Sequence, residues 1–185
     1  MKATSMSFES RTAWQRGFTV IELMVTLGIA AVLMGLAVPA FNAFVAQRTL
    51  TTQVNDFLVA VQYARSEAGR RGTTVSVQAV NPAAAANEWG PGWCVVVGTP
   101  GACPNDGTEL RDFMALGGNT LDAAGGLDGV ATLPFNSRGL LLPPAVAGTF
   151  NLCNPREHTG REISISEIGR VSSREPPVAT LDCNP

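Results

Sequence analysis

The residue of greatest chemical interest is a single carboxylate, Glu22, which lies within an otherwise apolar segment. From Phe18 to Val38 no other side chain is ionisable, and about 20 apolar residues are enough for a helix to span a bilayer. A carboxylate is costly to bury in that setting, and such residues usually have a partner that offsets their charge. We therefore expect Glu22 to pair with an amine in the membrane.

A short, positively charged flank precedes this apolar segment. Lys2, Arg11 and Arg16 outnumber Glu9 there, and basic flanks tend to remain in the cytoplasm. The C-terminal part is therefore expected to be periplasmic or extracellular. The small residue Gly17 precedes the apolar run, whereas a secretory signal carries its small-residue cleavage site after that run. Cleavage at Gly17 would keep the helix; the alternative is an ordinary signal anchor with an isolated glutamate.

The start of the apolar segment resembles the class III signal of type IV prepilins and type II secretion pseudopilins. The residues that carry the resemblance are Gly17, Phe18, Thr19, Val20, Ile21, Glu22 and Leu23. The resemblance implies that a prepilin peptidase cleaves after Gly17 and that the new amine of Phe18 is methylated. It also implies that Glu22 pairs with the N-terminal amine of a neighbouring subunit.

Four cysteines lie beyond the membrane segment, at positions Cys94, Cys103, Cys153 and Cys183. An even number in an exported domain favours disulfides. Three pairings are open, and we favour Cys94 with Cys103 and Cys153 with Cys183. A four-cysteine metal site is the weaker alternative, because no Cys-x-x-Cys pair is present and the single histidine, His158, lies in a polar stretch. We expect no metal and no other cofactor.

The helical pattern continues beyond the membrane segment. Pro39 is expected to kink the helix without ending it. Apolar residues then recur at spacings of three and four, at Val54, Phe57, Leu58, Val61, Ala64 and Ala68. Gly72 follows two arginines and is a typical helix stop. We predict a leader peptide over 1–17, a transmembrane helix half over 18–40 and an amphipathic half over 41–72.

From residue 73 onward the apolar period changes to two, which is typical of half-buried strands. Strands are predicted over 75–79, 93–97, 109–115, 130–135, 149–153 and 163–166, with Gly, Pro and Asn in the connecting turns. The predicted fold class is α+β, with one long N-terminal helix packed on an antiparallel sheet. Residues 73–185 would form the periplasmic β-rich domain.

Short blocks in the C-terminal part resemble, in order, the GspH/FimT family of type II secretion pseudopilins and type IV minor pilins. They comprise residues 64–68, Trp89, Gly92 and Trp93, 135–139, 150–153, 161–166, Gly169 and Arg170. We interpret the two tryptophans as core residues.

The resemblance to this family implies a structural subunit of the tip or priming complex of a secretion pseudopilus or a pilus. Its partners would be other major and minor pilins or pseudopilins, the prepilin peptidase and inner-membrane lipid. The protein would be single-pass in the bacterial inner membrane before it enters the filament. No enzymatic activity is expected, because the sequence contains neither a phosphate-binding loop nor a second histidine.

A glycine- and aspartate-rich stretch over 117–122 and 125–129 has the composition of a calcium-binding loop. Its spacing fits no EF-hand. We interpret it instead as a mobile surface loop.

The alternative function is DNA binding by a pilus-displayed receptor. Pilins of the FimT type for DNA uptake carry a Gly-Arg-x-Arg motif, which Gly169 and Arg170 match but Ser172 does not. In a strand, Arg170 and Arg174 would point to one face and could contact phosphates. The net charge of −2 and the neighbouring acidic residues make this interpretation less favoured than a structural role.

Overall fold

The computed structural model describes residues 17–81, 87–101, 103–104, 108–175 and 181. The chain divides into two compact units, Met1–Phe41 and Asn42–Pro185. All of the predicted leader except Gly17 lies outside the described residues. The boundary at residue 40 separates the transmembrane half of the helix from the amphipathic half, and the boundary at residue 72 separates the helix from the β-rich domain. Both boundaries remain predictions.

One long helix, α1, runs from Val20 to Arg71 and contains Pro39. Its most apolar window has a mean hydropathy of 2.3 and no buried residue, so by length and composition the helix can cross a membrane. The helix ends where the sequence indicates. Gly72 has a φ of +67°, and its N–H donates to the Ala68 carbonyl over 3.0 Å, as in a glycine C-cap.

Eight strands follow the helix: β1 Val75–Ala79, β2 Trp93–Val97, β3 Arg111–Phe113, β4 Thr120–Ala124, β5 Thr132–Phe135, β6 Gly148–Asn154, β7 Thr159–Ile165 and β8 Val171–Arg174. They form two antiparallel four-stranded sheets, ordered β3-β2-β1-β5 and β4-β6-β7-β8. The α+β class is confirmed. The division into two sheets was not predicted, because periodicity identifies strands but not their partners.

The segment interpreted as a surface loop is partly a strand. β4 pairs with β6 from Thr120 opposite Cys153 to Ala124 opposite Thr149. Leu121 is buried against the core, and a 3₁₀ turn, Gly125–Leu127, follows the strand. The loop prediction was wrong. The alternation of buried and half-buried residues in β4 is only five residues long and is flanked by glycines, and it forms a strand because it pairs with β6.

Strand β1 is buried on both faces, although its alternating pattern predicted one solvated face. Ser76 and Gln78 are fully buried, and the Gln78 amide donates to the Ser76 hydroxyl over 3.2 Å. A small second core of Cys94, Val96 and Cys103 lies on this sheet. The disulfide loop therefore replaces solvent over the polar face of β1.

An aromatic cluster joins the helix to both sheets. The Phe57 ring lies 5.2 Å from the Trp93 ring of β2, 4.8 Å from the Phe150 ring of β6 and 5.6 Å from the Trp89 ring. All four side chains are buried, and the Trp89 indole N–H donates to the Val130 carbonyl. The interpretation of both tryptophans as core residues is confirmed.

Candidate functional site

The N-terminus of α1 is built as a capped helix start. The Thr19 hydroxyl accepts a hydrogen bond from the Glu22 N–H over 3.3 Å, and the Thr19 carbonyl accepts one from the Leu23 N–H over 3.1 Å. Thr19 and Glu22 have the Thr-x-x-Glu spacing of a capping box. Glu22 thus lies in the first helical turn, where a negative charge interacts favourably with the helix dipole.

The predicted cleavage site adjoins this cap. Gly17 and Phe18 precede the first helical residue and are both exposed. Among the described residues, no cationic side chain forms an ion pair with the exposed Glu22 carboxylate. This arrangement offers an accessible peptide bond and, one turn into the helix, a carboxylate able to accept an external cation.

The two arginines considered for DNA binding do not form a matched pair. β8 begins at Val171, and Arg170 directly precedes it, where its carbonyl accepts a hydrogen bond from the Ser166 N–H. Arg174 is in the strand, but its Nε donates to the Glu162 carboxylate over 2.7 Å. The placement of both side chains on one strand face stays a prediction. The ion pair with Glu162 raises the pKa of Arg174 and opposes a phosphate contact.

Cys94 and Cys153 lie on different strands, and Cys103 lies in a loop. Cys94 of β2 is bonded to Cys103, with the two Cα atoms 5.9 Å apart. Cys153 is buried in β6, whereas Cys183 lies outside the described residues. The Cys153–Cys183 pairing therefore stays a prediction.

An ion-pair cluster at the end of α1 was not singled out from the sequence. Glu67 is 8% exposed and accepts hydrogen bonds from Arg70 over 2.6 and 2.9 Å and from Arg71 over 2.7 Å. The hydrogen bonds from Arg70 and then Arg71 lower the pKa of Glu67 to about 2. The spacing of three and four residues between Glu67 and the two arginines is the sequence signal that could have identified this cluster.

A second feature that sequence reasoning missed is an open surface groove of about 340 Å³ beside the last turns of α1. It is lined by Gln62, Arg65, Ser66, Gly69, Ser137, Arg138 and Gly139. The Arg65 Nε donates to the Gly139 carbonyl over 2.9 Å. Nothing in the local sequence signals that residues from 62–69 and 137–139 meet.

The described residues contain no group of three or more His, Cys, Asp and Glu side chains arranged to hold a metal ion. His158, which was weighed as a ligand, lies in the turn between β6 and β7 with a φ of +49°.

A capped apolar helix that continues into an amphipathic half, followed by antiparallel sheets, defines a type IV pilin-like protein. The model of the family described as "Type II transport protein GspH" matches residues 53–169, which is more than half of the chain. The chain belongs to this GspH family. The prokaryotic N-terminal methylation motif matches residues 15–38.

Two crystal forms of the type IV minor pilin FimU from Pseudomonas aeruginosa are similar to this structure. One is 26% identical, with a TM-score of 0.56, covering 76% of this chain and 99% of FimU. The other is 28% identical, with a TM-score of 0.55, covering 73% of this chain and all of the FimU chain.

Among curated proteins, "Prepilin peptidase-dependent protein D" of Escherichia coli K12 is 43% identical over 44 residues. That match covers 24% of this chain and 30% of the relative.

Proposed function

We propose that this protein is a minor pilin or pseudopilin, a structural subunit of the tip or priming complex of a type IV pilus or a type II secretion pseudopilus. The observation that carries the proposal is the similarity to FimU, which extends over 99% of that chain at a TM-score of 0.56. The methylation motif at residues 15–38 supports it independently. The partners are other major and minor subunits.

Maturation would begin at the exposed residues before the helix. A prepilin peptidase hydrolyses the Gly17–Phe18 bond, and the amine of Phe18 is then methylated. Thr19 caps the helix over the Glu22 N–H, so the helix start is preserved when the leader is removed. The Glu22 carboxylate then pairs with the Phe18 amine of a neighbouring subunit, which offsets the cost of both charges in lipid.

The proposed orientation places the leader in the cytoplasm and residues 73–185 in the periplasm. The basic flank with Lys2, Arg11 and Arg16 supports this orientation. The Cys94–Cys103 disulfide also supports it, because disulfides persist in oxidising compartments.

Deletion of the gene, with surface piliation and type II secretion measured separately, tests the function and distinguishes the two machines. Loss of piliation that is restored by the wild-type gene would identify a pilus subunit. Loss of secretion with intact pili would identify a pseudopilus subunit. If both activities stay at wild-type levels and the tagged protein is missing from sheared filaments, the proposal is wrong.

The alternative of a DNA receptor gains no specific support. Arg174 is paired with Glu162, and the neighbouring Arg161 is paired with Glu175 over 3.1 Å. The basic groups on this sheet are thus largely neutralised within the domain.

A further inference from the structure

The surface groove beside the last turns of α1, which we call the arginine pocket, has an unbalanced charge. Two of its seven lining residues, Arg65 and Arg138, are cationic, and none is acidic. The Ser137 hydroxyl and the Gln62 amide add further donors, whereas the Ser66 hydroxyl already donates to the Tyr63 carbonyl. Such a set of donors matches an anionic group, because guanidinium ions form charge-assisted hydrogen bonds to carboxylates.

Arg65 is held in place by the fold. Its Nε donates to the Gly139 carbonyl, and a Cβ at Gly169 would lie 3.2 Å from the same Nε. Gly139 and Gly169 both have a φ of +72°, in the left-handed backbone region. Two turns that depend on glycine therefore lie against the Arg65 side chain. The Nη groups remain available for a ligand, since the described residues supply no acidic partner for this guanidinium. Its position is preorganised, which lowers the entropic cost of binding.

Arg138 supplies the second charge from the turn between residues 136 and 139. Its N–H donates to the Asn136 side chain over 2.9 Å, which orders the turn. Its side chain is exposed and has no acidic partner within the described part of the chain. It differs in this respect from Arg70, Arg71, Arg161 and Arg174, which are all paired with glutamates.

The geometry points to the arginine pocket as a docking site for an acidic segment of a neighbouring filament subunit. This inference rests on the proposed function. Charge complementarity identifies the occupant as anionic. An open surface groove of about 340 Å³ lined by two guanidinium groups without acidic partners among the described residues suits one or two carboxylates. A nucleic acid would instead require a basic stripe along its backbone, and the strand arginines Arg161 and Arg174 are paired with glutamates.

Peptide binding tests the inference without any filament. The full chain in non-ionic detergent is labelled with ¹⁵N and titrated with capped hexaglutamate while the Nε–Hε signals of Arg65 and Arg138 are followed. Saturable shifts are expected, and Arg138→Gln should weaken binding about tenfold, the scale of one charge-assisted contact. Arg156→Gln is the matched control, because Arg156 is exposed in the turn between β6 and β7. It should bind as the wild type does.

Three results would overturn the assignment. The first is a lack of saturable shifts, or equal weakening by Arg138→Gln and Arg156→Gln. The second is equal binding of hexaglutamine, which would remove the charge argument. The third is tighter binding of a short duplex DNA at the same signals, which would assign the pocket to nucleic acid.

A filament measurement then tests the occupant. Arg138→Glu should lower recovery in sheared filaments severalfold relative to Arg156→Glu, because it places like charges together. Equal recovery would exclude a filament neighbour as the occupant. Failure of the wild-type protein to enter filaments would instead contradict the proposed function, so the two failures are distinguishable.

Discussion

Among single residues, Glu22 is the proposed ion-pair partner for filament assembly, and Glu67 has the largest pKa shift among the described residues. Both are on α1, yet their surroundings differ. Glu22 is exposed, with no cationic partner among the described residues, and its proposed partner belongs to another subunit. Glu67 is buried and finds its cations one helical turn away.

Replacing Glu22 with alanine should leave insertion and leader cleavage intact but reduce incorporation into filaments. The reason is that the Phe18 amine of a neighbouring subunit would lose its counter-charge in lipid. Immunoblots of membrane and sheared-filament fractions measure the effect. Thr26→Ala, which also alters a polar residue of the apolar segment, serves as the control. Normal recovery of Glu22→Ala in filaments would refute the pairing.

Glu67 should make the stability of the domain pH-dependent in acid. Its pKa falls from 4.5 to about 2 in the folded chain, so its stabilising contribution is fully present above pH 4.5 and is lost as pH falls towards 2. Glu67→Gln should therefore be less stable than the wild type at neutral pH. This difference should shrink between pH 4.5 and 2.

Denaturant unfolding of both proteins across that pH range measures the difference. Glu157→Gln, outside the cluster, is the matched control. A stability gap between wild type and Glu67→Gln that does not change with pH would show that the carboxylate charge contributes nothing to it.

At the scale of elements, the aromatic cluster fastens the second half of α1 to both sheets. Phe57→Ala should destabilise the domain by about 3–5 kcal/mol, because it removes a fully buried ring and leaves a cavity. Val59→Ala, on the exposed side of the same helix, should change stability by less than about 1 kcal/mol. Urea unfolding followed by tryptophan fluorescence compares the two. Similar small effects would mean that the helix is not held through Phe57.

Disulfides should stabilise segments of the domain that bury little apolar surface. We predict that Cys153 is bonded to Cys183, which would fasten the C-terminal segment to β6 and stabilise the domain by roughly 2–4 kcal/mol. Mass spectrometry of peptides from the unreduced protein identifies the bond. A peptide that joins Cys183 to Cys94 or Cys103 would contradict both this prediction and the Cys94–Cys103 pairing in the structure.

At the scale of the whole molecule, charge separates the structural role from the DNA receptor. The chain has a net charge of −2, and Arg174 is paired with Glu162. We therefore expect no retardation of duplex DNA by the full chain in detergent, even at low salt. Tight binding that weakens steeply with salt and disappears in the Arg170→Ala/Arg174→Ala variant would reverse this conclusion. A Lys2→Ala variant controls for the charge of the leader.

Elements with local signals could be predicted from the amino-acid sequence alone. The course of α1 past Pro39 to Gly72, and the strands β1 and β2, follow from apolar periodicity and from a glycine stop, which neighbouring residues along the chain already specify. The methylation motif is likewise a contiguous pattern.

Other features depend on contacts between residues that are far apart in the chain, and they became visible only in the folded structure. β4 is a strand because β6 pairs with it. Gln78 is buried in β1 opposite Cys94 of β2, which is bonded to Cys103. Arg174 of β8 forms an ion pair with Glu162 of β7. Arg65 of α1 donates a hydrogen bond to the Gly139 carbonyl, although the two residues are far apart in the sequence. Such contacts join residues far apart in the chain, so no local period encodes them.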